Sequence, residues 1–224
     1  MTKIGVITFP GSLDDVDAQR AVRAAGAEPV ALWHASDSVD GVDAIVLPGG
    51  FAHGDYLRAG ALARFSPIMA AVADEASRGT PILGLGNGFQ VLCEAGLLDG
   101  VLLRNAGQQF ISRPQRLRVE TKDTVWTVAF ERGQEITLAL KHGEGNFQAP
   151  AATLQQLEDN DQVVLRYLDN PDGSANDIAG ITNARGNVVG IMPHPEYSVD
   201  DVTGPSSDGR PFFESVLRFL SVRA

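Results

Sequence analysis

Pro81-Ile82-Leu83-Gly84-Leu85-Gly86-Asn87-Gly88-Phe89-Gln90 decides how the chain folds. A short apolar run leads into a glycine-punctuated turn and then into the start of a helix. That junction has the form of a nucleophile elbow, in which one residue is held in a strained conformation between strand and helix. Flanking glycines let neighbouring backbone crowd in. The elbow position is Gly86. Much later, Pro193-His194-Pro195-Glu196 offers a base and a carboxylate to orient it. The residue types of acyl transfer are present, and the atom that should attack is missing.

Working outward, residues 3–9 form an apolar, β-branched run closed by Pro10-Gly11, the pattern of a central parallel strand. Ser12 or Asp14 is placed to cap a helix running to about residue 25, with Gly26 as its stop. Strands are expected at 28–33 and 43–47, the second closed by Pro48-Gly49-Gly50. Helical segments are expected near 57–65 and 67–77, with Gly79 ending the latter. Strand 81–85 and helix 87–95 continue an alternation that predicts a parallel sheet covered on both faces.

The second half changes character. Residues 109–121, 124–130, 135–140, 163–168, 177–182 and 187–192 read as strands, with Asp172-Gly173 and Arg185-Gly186 as turns. Residues 210–222 read as a closing amphipathic helix with Phe212, Val216, Phe219 and Leu220 on or near one face. No linker, internal repeat or low-complexity tract interrupts the chain. The expectation is one α/β domain over residues 1–224, mostly parallel, with antiparallel strands added in the C-terminal half.

Composition excludes several function classes. Hydrophobic residues at 44% and charged residues at 21% give a core-forming chain rather than a disordered one. The net charge of −10 and the lack of a basic run argue against nucleic acid as a partner. No apolar stretch approaches a bilayer span and no signal peptide opens the chain, so a cytoplasmic protein with no membrane partner is expected. The single Cys93 excludes an internal disulfide, and four scattered histidines give no metal-ligand spacing, so no metal is expected.

His194 and Glu196 each stand beside a proline, which favours extended backbone. Residues two apart in an extended chain project to one side, so the carboxylate can orient the imidazole. Both follow a predicted strand, and ligands bind open α/β sheets at that edge. A cysteine at position 86, deprotonated by His194, would form a thioester with a carbonyl carbon. The amide of Asn87 and one from Gly49-Gly50-Phe51 would hold the oxyanion. The blander reading of His194 and Glu196 is a surface histidine and a solvated carboxylate. Cys93 lies about two helical turns past the elbow, ~10 Å away, and reads as a buried small hydrophobe. Arg58 reads as an anchor for a helix or a carboxylate.

The chain resembles the glutaminase subunits of phosphoribosylformylglycinamidine synthase, class I (triad) glutamine amidotransferases of purine biosynthesis. The resemblance runs nearly end to end. It rests on Phe9-Pro10-Gly11-Ser12, Pro48-Gly49-Gly50-Phe51, Gly54-Asp55-Tyr56-Leu57-Arg58-Ala59-Gly60 and Asn87-Gly88-Phe89-Gln90. Arg104-Asn105, His142-Gly143-Glu144-Gly145 and Met192-Pro193-His194-Pro195-Glu196 extend it. It implies a flavodoxin-like sheet, and a Cys nucleophile at the place of Gly86. It implies His194 as base, Glu196 as orienting acid, and Gly50 and Phe51 as the oxyanion loop. Gln90 would lie beside bound glutamine, Asn105 and Phe110 would line its pocket, and His142 and Glu144 would lie near a partner subunit. The implied partners are a large synthetase subunit, which carries ATP and Mg²⁺, and a small bridging subunit. This chain has no phosphate-binding Gly-x-x-x-x-Gly-Lys-Ser/Thr loop of its own, so no cofactor is expected on it. As written, with glycine at the elbow, the chain is expected to fold and bind glutamine without turning it over. The alternative is a non-catalytic glutamine-binding scaffold or sensor.

Overall fold

A computed structural model describes residues 1–223. In chain order the first half forms β1 (Lys3–Thr8), α1 (Asp15–Ala24), β2 (Glu28–Trp33), β3 (Ala44–Leu47), α2 (Ile68–Arg78), β4 (Ile82–Leu85) and α3 (Asn87–Glu94). The second half forms β5 (Val101–Leu103), β6 (Ile111–Val119), β7 (Glu135–His142), β8 (Asn146–Gln148), α4 (Ala151–Asp159), β9 (Val163–Tyr167), β10 (Ile178–Thr182), β11 (Val188–Ile191) and α5 (Arg210–Arg223).

A nine-stranded sheet runs β2-β1-β3-β4-β11-β10-β9-β6-β7. It is parallel from β2 to β11 and antiparallel from β10 onward. Every residue of β3, β4 and β11 is buried, because helices cover both faces of this part of the sheet. Alternate residues feed separate cores. Ala44 and Val46 pack with Ala18, Val22, Phe212 and Val216 of α1 and α5. Ile45 and Leu47 pack with Val72, Phe89 and Leu92 of α2 and α3 on the opposite side. Among the described residues no helix is long and apolar enough to cross a membrane.

Register positions the site. Leu47 of β3 lies one residue beyond Val46, which pairs Leu83, and itself pairs Gly84 of β4. Leu85 pairs Ile191 of β11. The carboxyl ends of these neighbouring strands are therefore level, and the segments leaving them meet above one sheet edge. The turn from β1 into α1 emerges at the same edge, since β1 is β3's parallel neighbour.

Three expectations need correction. Residues 57–65 form no α-helix: Leu57 and Gly60 have φ of 72° and 79°, and only Ala63–Phe65 make a single 3-10 turn. Gly60 is pressed so close to the backbone of α3 that a β-carbon there would lie 2.7 Å from the Val91 nitrogen. Residues 124–130 are not a strand despite their β-branched composition. The Thr124 hydroxyl accepts from the Trp126 amide at 3.2 Å, and successive turns bond Thr127 N to Thr124 O and Phe130 N to Thr127 O. These turns bury Trp126 and pack Phe130 against Phe212 with ring centres 4.7 Å apart and planes tilted by 60°. Third, α4 and the β5–β8 pair were not among the expected elements.

Candidate active site

Gly86 links β4 to α3 with φ 51° and ψ −109°. Its amide bonds to Ile191 O at 2.8 Å, and its carbonyl accepts from the Phe89 amide at 3.0 Å, starting the helix. The strained link is thus tied on one side to β11 and on the other to α3. An L side chain at this elbow would point at His194. An ideal β-carbon built on Gly86 lies 2.8 Å from His194 Cε1 and 2.9 Å from Nε2.

His194 is 2% exposed and follows β11 by way of Met192 and Pro193. Its amide bonds to Ala139 O of β7 at 2.8 Å, which fixes the backbone under the ring. Nδ1 donates to Glu196 Oε1 at 2.7 Å, so Nε2 turns its lone pair toward Gly86. The expected route to this contact was extended backbone. Instead, Pro195–Tyr197 form a 3-10 turn, closed by Ser198 N bonding to Pro195 O at 2.9 Å. Proline is readily accommodated at the first position of such a turn, and the turn folds the wholly buried Glu196 back under the imidazole. The surface-histidine reading therefore fails on burial.

The oxyanion turn needs one correction. Phe51 was expected to offer its amide, but that amide donates to Gly11 O at 2.9 Å, in the bridge joining Gly50 to Ser12. Its half-exposed ring lines the cavity instead. The amides of Gly50 and Asn87 have no intrachain acceptor among the described residues. Gly50 holds φ 134°, and a β-carbon there would strike the Leu13 nitrogen at 2.5 Å. Both free donors border the cavity beside Gly86.

That cavity has a volume of about 500 Å³, within the range of small-molecule sites. The Asn87 side chain braces its floor. Asn87 Oδ1 accepts from Ala52 N at 2.9 Å, and Nδ2 donates to Asp55 Oδ1 at 3.0 Å and to Gln90 Oε1 at 2.8 Å. Gln90 Nε2 in turn donates to Glu144 O at 2.6 Å. Gln90 thus lines the cavity while its amide ties α3 to the loop after β7. Burial raises the Asp55 carboxyl to about 6, against the lowering effect of the Asn87 hydrogen bond and with a further push from Glu144.

Of the expected pocket residues, Phe110 lines the cavity and is 56% exposed. Asn105 does not reach it. Its Oδ1 accepts from Gly145 N and pairs with His142 Nδ1, both at 3.0 Å, while Nδ2 donates to Gln109 O and His142 O. A fully used, buried amide builds the loop and has nothing left for a ligand. His142 is likewise internal rather than a surface contact: it is 5% exposed, and burial, helped by nearby His194, lowers its pKa to about 3. Glu144 stays on the cavity wall, its Oε1 3.6 Å from Arg104 Nε. Cys93 lies outside the cavity lining, and burial, with Glu94 and Asp99 nearby, raises its thiol well above the ordinary range. Arg58 grips Glu94 with two hydrogen bonds of 2.5 and 2.7 Å.

Asp14, Lys141 and Tyr197 were missed. Asp14 occupies the position before α1, where it reads as a cap, yet its side chain caps nothing. Its wholly buried carboxylate turns inward, with Oδ1 2.5 Å from Lys141 Nζ and 2.7 Å from the Tyr197 hydroxyl. Its Oδ2 lies 3.5 Å from His194 Nδ1. Asp14, His194 and Glu196 bring ligand-type atoms within 4.8 Å of one another, but the Lys141 ammonium already supplies the positive charge beside Asp14. The only sequence signal was an acidic pair, Asp14-Asp15, after a turn.

Residues 1–215 match the family described as the CobB/CobQ-like glutamine amidotransferase domain. The chain is 59% identical over 221 residues to the phosphoribosylformylglycinamidine synthase subunit PurQ of Frankia casuarinae, covering 98% of this chain and 95% of that one. It is 59% identical to the PurQ subunit of Streptomyces coelicolor, covering 97% of each chain. The structure of PurLQS from Thermotoga maritima contains a chain that superposes with a TM-score of 0.91 at 42% identity, over 98% of this chain and 99% of that one. A putative GMP synthase protein from Thermoplasma acidophilum shares the fold, with a TM-score of 0.68 at 18% identity, over 100% of this chain and 98% of that one. The chain therefore belongs to the CobB/CobQ-like glutamine amidotransferase family and, within it, to the PurQ subunits of phosphoribosylformylglycinamidine synthase.

Proposed function

We propose that this chain binds glutamine with its side-chain amide between Gly86, Gly50 and His194, and that glycine at the elbow leaves the site without turnover. One observation carries the reading: the Glu196-oriented imidazole presents Nε2 2.9 Å from where a β-carbon on residue 86 would stand. In that arrangement a thiol at position 86 loses its proton to Nε2, and its sulfur attacks the amide carbon. The carbonyl oxygen takes charge between the Gly50 and Asn87 amides. The imidazolium then returns the proton to the departing ammonia, and water resolves the thioester by the same base. With Gly86 the covalent route is closed. Loss of a nucleophile in triad hydrolases costs on the order of 10⁶ in rate.

With a thiol at position 86, the ammonia released would pass to a synthetase subunit that activates its own substrate with ATP and Mg²⁺, with a small subunit bridging the two, all in the cytoplasm. The strongly exposed Tyr56 and Leu57, in the loop that follows the oxyanion turn, support a protein surface docking at the rim of the site. The test is Gly86→Cys, assayed for ammonia release from glutamine with the synthetase and bridging subunits present. A gain of several orders of magnitude is expected, and no gain overturns the reading. Gly86 itself favours a second reading, a glutamine-binding scaffold or sensor. Calorimetric binding of glutamine to the unaltered chain, combined with an inert Gly86→Cys variant, would favour that one.

A further inference from the structure

His194 is held from two sides, and only one of them is Glu196. Asp14 enters from the end of β1 and makes three kinds of contact at once. Its backbone amide, with that of Leu13, bonds to Gly49 O at 3.3 Å, fixing the turn that carries the Gly50 donor. Its Oδ2 is buried, has no hydrogen-bond partner, and stands 3.5 Å from His194 Nδ1. Its Oδ1 is gripped by Lys141 from β7 and by Tyr197 from the turn after His194. Tyr197 shares its one O–H proton between Asp14 Oδ1 at 2.7 Å and Asp17 Oδ2 at 2.9 Å, accepts from Lys141 at 3.2 Å and packs edge-on to the His194 ring at 5.9 Å. Burial and these carboxylates hold the Tyr197 phenol above its ordinary range, so it remains a donor.

The packing is too close for any side chain between these groups. A β-carbon on Gly49 would lie 2.3 Å from Asp14 Oδ2 and 2.6 Å from His194 Cε1. Asp14, the imidazole and the oxyanion turn therefore form one block. We propose that Asp14, clamped by Lys141 and Tyr197, is a positioning residue for the amidotransferase reaction: it sets the distance from the His194 base to the Gly50 donor and backs the imidazole as it takes up a proton. Two carboxylates stand beside the ring at 2.7 and 3.5 Å before it takes up a proton, a preorganised setting for the imidazolium.

This inference rests on the proposed reaction, so its test has one arm inside that reaction and one outside it. Inside it, Asp14→Asn is placed in the Gly86→Cys background. A general base contributes about 10²–10⁴ in rate, and Glu196 still holds the ring, so kcat should fall about 10- to 100-fold while KM changes by less than about threefold. Tyr197→Phe, which loosens Asp14 without removing its charge, should show a smaller kcat loss in the same direction. Outside it, ¹⁵N spectra of the unaltered Gly86 chain report the His194 imidazole directly, and Asp14→Asn should shift or broaden its Nδ1–H signal. Should Gly86→Cys release no ammonia, the reaction assignment fails and the spectra alone judge Asp14. An Asp14→Asn protein that melts normally and keeps the parent imidazole signals overturns the proposal. So does one with kcat within twofold of its Gly86→Cys parent.

Discussion

Gly86→Ala adds one methyl group to the elbow and no chemistry, so it isolates the energetic cost of having a side chain there. Backbone at φ 51° and ψ −109° is sparsely populated for L-residues, and holding one there costs about 1–3 kcal/mol. The new carbon would also begin 2.8 Å from His194 Cε1, and ordinary contact starts at 3.4 Å, so the ring must withdraw by about 0.6 Å. Its retreat is limited by Glu196 at 2.7 Å and by Asp14 behind it. Alanine recovers about 0.4–1 kcal/mol through a less flexible unfolded chain. The net loss is about 0.5–2 kcal/mol, which for a chain of this size lowers Tm by about 1–8 °C. Scanning calorimetry of the parent, Gly86→Ala and Gly86→Cys measures it. Both variants should melt below the parent and near each other, while only Gly86→Cys gains ammonia release. A Gly86→Ala protein as stable as its parent would refute the strained-elbow account, whatever the activity shows.

Three further outcomes are expected. In the Gly86→Cys background, Glu196→Gln removes the charge that fixes the imidazole and should lower kcat by on the order of 10²–10⁴; steady-state ammonia release measures it, and an unchanged kcat would count against the orienting role. Gly49→Ala forces a carbon between Asp14 Oδ2 and His194 Cε1, and overpacking of that kind costs about 1–3 kcal/mol, readable as a lower denaturation midpoint; an unchanged midpoint would show the block is looser than its distances. Asp55 has a folded pKa of about 6, above its unfolded value, so the folded chain binds the extra proton and the parent loses stability as pH rises from about 4 to about 6. Asp55→Asn still accepts from Asn87 and lacks that loss, so its Tm relative to the parent should climb across the same interval; a difference independent of pH would contradict it.

Legibility from sequence followed how local the determining physics was. β1, β3, β4 and β11 were readable to within one or two residues, because parallel strands buried within a covered sheet are continuous apolar runs, and β2 was readable to the residue although it is the sheet's edge and buries none of its side chains. α4 escaped notice because its nine residues bury only Leu157 among glutamines and alanines, leaving no stripe to detect. Residues 124–130 misled because Thr124 spends its hydroxyl on a turn, a choice that composition does not record. At the site, Gly86, His194 and Glu196 were legible because an elbow and a proline-flanked histidine are short-range patterns. Asn105 and Phe51 were assigned the wrong use because a polar side chain or a backbone amide reads the same whether it faces a ligand or another loop. Their partners, Gly145, His142 and Gly11, are set by the tertiary fold. Asp14 was hidden more deeply: Lys141, 127 residues away, is what turns it inward from the helix end.

The sheet order explains how one missing side chain can leave so complete a surrounding. Each working group leaves a different strand: Asp14 follows β1, Gly50 follows β3, Gly86 follows β4 and His194 follows β11, with Lys141 supplied by β7. No segment depends on another's side chain to reach the edge, because ladder registers set the strand ends. The sulfur of a nucleophile would contribute chemistry but little to that scaffold, and at a strained φ its own β-carbon would work against stability. The base and its two carboxylates are instead held by bonds such as His194 to Glu196 and Asp14 to Lys141, and the turn that carries the free Gly50 amide by the Asp14 and Leu13 amides on Gly49 O. A chain that loses only its nucleophile should therefore keep a preorganised site, whereas one that loses Asp14 or Glu196 should keep its nucleophile and lose the geometry that makes it useful.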